Sequence, residues 1–201
     1  MIISEHPQGT PEWLKDRTGI PTSSGFDMIV TTQGRPSKQR EKYLFTLAAE
    51  KITGVKADSF QSDAMTRGIE LEDQARAMYE VITGNKVEQV GACFPDKKKK
   101  SACSPDGLVN EDGVLEIKCP SAHTHIGYLL KGVLPTAYFA QVQGQLFVTG
   151  RSYVDFFSYY PGLKPLLVKV MPDKAFQNAL KVELEVFCSE LSAITEKIRG
   201  L

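Results

Sequence analysis

The chain has 201 residues, 42% of them hydrophobic, with no Pro/Gly/Ser-rich linker, so a single domain spanning 1–201 with a sizeable core is expected. Lysine plus arginine equals aspartate plus glutamate at 24 each, which excludes a protein that coats nucleic acid through bulk positive charge and confines any such contact to a groove or channel. No apolar run approaches the roughly 18 residues of a membrane span, and MIISEHPQGTPEW lacks a signal-like apolar core, so a cytoplasmic protein without membrane attachment is expected.

In chain order, Thr10, Pro11 and Glu12 read as an N-cap, a first-turn proline and an acidic first turn. They open a short helix that carries Trp13, Leu14 and Arg17 and stops at Gly19. A second short helix is predicted from Ser23 or Ser24 to Val30, then turn chemistry over Thr31 to Pro36. Ser37 is read as the cap of an amphipathic helix to Thr53, with Tyr43, Leu44, Leu47 and Ala48 inward and Gly54 ending it. The next helix is predicted over Asp63 to Thr83, its apolar stripe formed by Leu71, Ala75, Met78 and Ile82. Glu72 and Glu70 lie on opposite edges of that stripe, and periodicity alone does not choose between them.

Lys86 to Phe94 and Ser101 to Ser104 read as strands around a turn that holds Asp96 and Lys97 to Lys100. A β-hairpin follows, with arms Gly107 to Asn110 and Val114 to Lys118 and Gly113 as the left-handed turn residue. A three-residue turn sets Asn110 against Val114 and Asp106 against Lys118, with Glu116 on the diagonal. All three then point one way, within reach of a hard cation. Ser121 to Lys131 and Thr136 to Thr149 read as helices, Arg151 to Tyr160 and Leu166 to Met171 as strands, and Asp173 to Ile198 as a closing helix. The implied fold class is α/β, a central mixed β-sheet flanked by helices. Cys93, Cys103, Cys119 and Cys188 show no CxxC spacing and are expected as buried reduced thiols.

Grouped acidic residues with a lysine at a strand end suit metal-dependent phosphodiester hydrolysis, in which carboxylates hold divalent cations that acidify water and shield developing charge. Lys118, flanked by carboxylates, is expected to stay charged. Taken singly, Asp106 reads as a turn aspartate before Gly107, Glu116 with Lys118 as a solvated strand face, and Arg17 as a surface helix cation. Lys97 to Lys100 reads as a solvated turn, with a grip on phosphates as its rival.

Several separated segments together resemble the lambda-type phage recombination exonucleases, the YqaJ viral recombinase family. They are Gln8, Gly9 and Thr10 with Trp13, Arg17, Gly19, Thr22 and Ser24; Gly68 with Glu72 and Ala75; Ser104 to Gly107; Leu115 to Pro120; and Ala140 to Gln143. The pair SPDG and LEIKCP, with Glu116 ten positions after Asp106, is the specific part. The resemblance implies a PD-(D/E)xK, restriction-endonuclease-like core. It places metal ligation on Asp106, Glu116, the Ile117 carbonyl and Glu72 rather than Glu70, the catalytic lysine on Lys118, and a water- or lysine-holding glutamine on Gln141. Asp96 matches a further acidic position.

The resemblance also implies a 5′-phosphate pocket of Arg17, Ser24 and Ser104, in which a guanidinium forks onto phosphate oxygens. The family's second phosphate-binding arginine is absent: the segment reads Ser121 to His125, with Thr124 as the ungapped match, so His123, His125 or Lys131 is expected to substitute, or the phosphate to be held more loosely. The expected function is a Mg2+-dependent (Mn2+ possible) 5′-to-3′ exonuclease on double-stranded DNA ends. It would leave 3′ overhangs for strand annealing, as a homotrimer with a single-strand annealing protein as partner, in the cytoplasm of a bacterial host carrying the phage or prophage. The rivals are an endonuclease of the same core and a catalytically silent DNA-end-binding module.

Overall fold

Five strands form the central sheet of the computed structural model, which describes residues 1–57 and 63–201, the side chains of 63–65 excepted. Their order is β2 (Val87–Glu88), β4 (Gly107–Val109), β5 (Gly113–Lys118), β6 (Tyr153–Ser158) and β7 (Leu166–Val170). β5 and β6 run parallel and the other neighbouring pairs antiparallel, so the sheet is mixed as expected. A separate two-stranded ribbon joins β1 (Ile2–Ile3) to β3 (Cys93–Phe94). Parallel neighbours require a long crossover, and here α4 (Ala122–Lys131) and α5 (Phe139–Thr149) supply it.

Side-chain alternation along the strands divides the core into two layers. Val109, Leu115, Ile117 and Phe157 pack with Ala75 and Tyr79 of α3 (Asp63–Thr83) on one face. Leu108, Val114, Val154 and Phe156 pack on the other with residues of α5, α2 (Arg40–Thr53) and α6 (Lys174–Arg199). The first helix, α1 (Pro11–Arg17), is capped by Thr10, whose hydroxyl accepts from the Trp13 N–H. A 3-10 turn follows at Ser23–Met28. All four cysteines are buried free thiols, and no helix among the described residues is long and apolar enough to cross a membrane.

Several expectations need correction. The hairpin pairs Gly107 with Leu115, Leu108 with Val114 and Val109 with Gly113, a register shifted by two residues from the predicted one. A shift of two keeps every side chain on its face, so Asp106, Glu116 and Lys118 still share one. The left-handed residue of the turn is Asn110, at φ 45°, and not Gly113. Gly113 is required instead by Tyr153, whose ring a Cβ would meet at 2.4 Å. Arg151 closes the turn from outside by donating to the carbonyls of Val109, Asn110 and Gly113 at 3.2, 3.0 and 2.8 Å.

The strand read over Lys86 to Phe94 is broken into β2 and β3. At Gly91 the chain of β1 passes so close that a Cβ would stand 2.4 Å from the His6 carbonyl oxygen. Ser37 stops short of capping α2, whose N-cap is Gln39 with no side-chain bond. On α3 the predicted Leu71 and Ala75 do pack toward the sheet and Tyr79 joins them, while Met78 and Ile82 are exposed. Tyr79 wins its place through a bond from its hydroxyl to buried Asp155 on β6, at 2.6 Å. That rotation carries Glu72 and Arg76 toward the end of the sheet.

Candidate active site

The centre of the site is the C-terminal end of β5. Glu116 is 1% exposed and faces the α5 layer. Its Oε1 accepts from Lys118 Nζ and, at 2.6 Å, from Gln141 Nε2, and its Oε2 accepts from Gln145 Nε2. Gln141 and Gln145 stand one helical turn apart on α5, so both amides reach the same carboxylate. Asp106 lies just before β4. Its backbone N–H donates to the Leu115 carbonyl at 3.1 Å, and its Oδ2 accepts from the Ile117 N–H at 2.5 Å.

Glu72 comes in from α3, with Oε1 accepting from Arg76 at 2.5 Å. Arg76 also reaches Asp73 at 2.6 Å and the Asp106 carbonyl at 3.2 Å, which ties the helix to the hairpin. A cleft of about 490 Å³ opens over these groups, lined on one side by Glu72, Asp106 and Lys118 and on another by Thr124, Tyr128 and Tyr138. The Lys118 ammonium lies 5.2 Å from the centre of the Tyr138 ring.

Burial holds the Asp106 carboxyl well above the usual carboxylate range, and the charges of Glu116 and Glu72 add to the shift while Lys118 opposes it. Burial raises Glu72 as well, against the pull of Arg76. For Lys118 burial acts downward, but the Glu116 and Asp106 carboxylates outweigh it and the ammonium holds its proton more tightly than usual. Carboxylates about 5 Å apart repel by roughly 3 kcal/mol at an effective dielectric near 20.

Among the described residues no three acidic, histidine or cysteine side chains are already gathered around one point as a metal cage. Ion pairs with Lys118 and Arg76 draw Glu116 and Glu72 aside. The donor set nevertheless fits a hard divalent cation: Glu72 and Asp106 line the cleft beside the buried Glu116 carboxylate, and an added positive charge would favour the ionised Asp106 carboxyl that burial and Glu116 disfavour.

Arg17 and Ser24 line one groove of about 700 Å³, which meets the carboxylate cleft at Ile69. The Arg17 guanidinium stacks 4.1 Å from the Trp13 ring centre, and its buried Nε has no partner among the described residues. Ser104 is linked to this group through Trp13, whose Nε1 donates to Ser104 Oγ at 3.1 Å. Asp96 is elsewhere, in the exposed lysine turn, where its Oδ1 accepts from the Lys98 N–H at 2.8 Å. Its role is to shape that turn. Sequence reasoning missed Gln145 and Arg76; both had a signal, since each stands four residues after a residue already singled out, Gln141 and Glu72.

His125 is excluded as the substitute for the missing arginine. It is 0% exposed, and its Nδ1 pairs with Ser158 Oγ at 2.8 Å while Nε2 faces the Lys164 carbonyl at 2.9 Å. The Nε2 nitrogen must donate to that carbonyl, which leaves Nδ1 to accept from the serine. His123 is exposed beside Ser121, and Thr124 is the residue of this segment that lines the cleft together with Ser121. His125→Ala should therefore destabilise the fold by about 2–4 kcal/mol in urea unfolding, through a cavity and two lost bonds. An exposed phosphate ligand would change stability by no more than about 0.5 kcal/mol.

Residues 12–152 match the model of the YqaJ-like viral recombinase domain. No curated protein matches the chain. Among solved structures, an alkaline exonuclease (LHK-Exo) from Laribacter hongkongensis is similar with a TM-score of 0.86 and 33% identity, over 95% of this chain and 97% of that one. LHK-Exo in complex with dAMP gives the same TM-score at 34% identity and the same coverage. A phage related exonuclease from Haemophilus somnus 129PT shares the fold, at a TM-score of 0.69 and 14% identity over 89% of this chain and 96% of its own.

Proposed function

The chain belongs to the YqaJ-like viral recombinase family and is a nuclease of the exonuclease type, and from that premise we propose that it degrades one strand of duplex DNA from the 5′ end with the help of magnesium. The observation that carries this reading is the convergence of Asp106, Glu116 and Lys118 on one face at the end of β5, with Glu116 gripped by two amides. A pure end-binding module has no use for buried carboxylates facing a polyanion.

Asp106, Glu116, the Ile117 carbonyl and Glu72 are the residues to hold the cation. The chemistry that magnesium or manganese would supply when held there is acidification of water and an offset to the charge that builds on the scissile phosphate. Lys118 donates from Nζ toward the attacking water and the phosphate oxygens, and it remains a cation throughout. Gln141 and Gln145 act through Glu116, fixing the carboxylate that in turn fixes Lys118. Water oxygen bonds to phosphorus and gives up a proton to solvent, the bond to the 3′ oxygen breaks with its electron pair left on that oxygen, and the 3′ oxygen takes up a proton from solvent. The released piece is a 5′ mononucleotide, and the strand left behind again carries a 5′-phosphate.

The groove of Arg17 and Ser24, with Ser104 behind Trp13, is the pocket for that terminal phosphate. Its unpartnered guanidinium nitrogen and its junction with the cleft at Ile69 support the assignment. In this reading the enzyme works in the cytoplasm of a bacterial host, as a homotrimer around the duplex, and hands the 3′ overhang to a single-strand annealing protein. The test is digestion of matched linear and covalently closed duplexes in magnesium and in EDTA. Loss of the linear form alone, in magnesium alone, is expected; cutting of the closed circle would make the protein an endonuclease.

A further inference from the structure

The active-site cleft is lined by Glu72, Asp106 and Lys118, with Arg76 paired to Glu72 and Glu116 to Lys118, so it has no surplus of positive charge with which to attract a polyanion. The chain as a whole is neutral, and affinity for DNA must come from places where cations are concentrated. One such place is a groove of about 380 Å³ lined by Lys51, Lys98, Lys99 and Lys100 together with Thr18–Pro21 and Ser192, and no carboxylate lines it. None of these four lysines is in an ion pair among the described residues; the lysines that pair are Lys56, Lys118 and Lys169. Asp16, which feels Lys99, is engaged by Ser4 and His6.

The lysine turn is built rather than merely wet. Asp96 bonds the Lys98 N–H through its side chain and the Lys99 N–H through its carbonyl, at 2.8 and 3.3 Å. Lys99 takes a left-handed backbone, φ 49°, which is costly for a residue with a Cβ and without a side chain that bonds locally. Its ammonium sits 4.7 Å from the Phe94 ring centre, and the Lys100 carbonyl accepts from Cys188 of α6 at 3.4 Å. A solvated charge run needs none of this.

The location is equally specific. Arg17 lines the terminal-phosphate groove and the next residues, Thr18 to Pro21, line the lysine groove; Glu50 and Lys51 divide in the same way on α2. We propose that the groove of Lys51, Lys98, Lys99 and Lys100 is a second phosphate track that holds the DNA sugar–phosphate backbone away from the bond being cut. Compact ammonium groups on flexible stems, with no arginine fork and no buried donor among them, suit the changing phosphate contacts of a backbone that moves past, not one small anion held in place. The proposal rests on the nuclease reading above.

The test is binding of a 5′-phosphorylated duplex to the full chain in EDTA, where no cleavage occurs, followed by fluorescence anisotropy across a salt series. Each lost phosphate contact flattens the slope of log affinity against log salt by about 0.9. Replacing Lys98, Lys99 and Lys100 by alanine should flatten it by about two to three units, while alanine at Lys38, Lys164 and Lys174, the same loss of charge elsewhere, should leave it at the wild-type value. Equal slopes for the two triple variants would overturn the track and leave the nuclease reading standing. Failure of the wild-type chain to bind duplex at all would overturn both.

Discussion

Lys118→Met should lower hydrolysis of a linear duplex by about 10²–10³-fold in single-turnover kinetics, the scale seen when a donor aimed at developing charge is removed. The loss should be accompanied by a loss of stability. Glu116 is almost fully buried, and Lys118 is the cation on its Oε1; taking away one partner of a buried pair typically costs about 3–5 kcal/mol. Gln141 and Gln145 remain and soften that cost. The proton on Lys118 is held more tightly than usual by Glu116 and Asp106, so the residue works as a fixed cation and not as a free base. Activity should accordingly fall with the charge itself: Lys118→Arg should retain more activity than Lys118→Met and unfold nearer the wild-type urea midpoint. A methionine variant as active as wild type would remove Lys118 from the chemistry.

Asp106→Asn should separate stability from activity. Burial first and the Glu116 charge second hold the Asp106 carboxyl well above its ordinary range, so between the unfolded value near 3.9 and the raised folded value the native state binds more protons than the unfolded chain. Stability of the metal-free protein is therefore fullest below that window and falls as pH rises through it. Asparagine carries no charge at any of these pH values and keeps an oxygen for the Ile117 N–H. In EDTA the variant should melt above the wild type at neutral pH and show a flatter profile from about pH 4 upward. Hydrolysis should fall by about 10²–10³-fold. Magnesium should raise the wild-type melting temperature through mass action and leave the variant unmoved. Parallel pH profiles for the two proteins would contradict the crowded-carboxylate account.

The hairpin shows how much of this was legible in the chain and how much was not. Alternation in LEIK is enough to put Glu116 and Lys118 on one face and Leu115 and Ile117 on the other, and it survives a register error of two because side-chain direction repeats every two residues. What local pattern could not supply was the register itself, which depends on Asn110 adopting the left-handed turn and on Arg151, far along the chain, clamping three carbonyls. Periodicity likewise placed Leu71 and Ala75 of α3 on the inward face but missed Tyr79, whose hydroxyl bond to Asp155 outweighs the apolar character of Met78 and Ile82. His125 is the same lesson at the site: a histidine next to the position where the resemblance expects an arginine reads as a ligand until Ser158 and Lys164, brought there by the fold, account for both its nitrogens.

The most direct measurement is nucleotide release from a linear duplex carrying either a 5′-phosphate or a 5′-hydroxyl, in magnesium, for the wild-type chain and Arg17→Ala. Because each cleavage leaves a new 5′-phosphate, the wild type should start slowly on the 5′-hydroxyl end and then proceed at the rate of the phosphorylated one, with products coming from the 5′ side only. Arg17→Ala should be slow from the first nucleotide on both. Release from the 3′ side, or the same time course for all four combinations, would contradict the account.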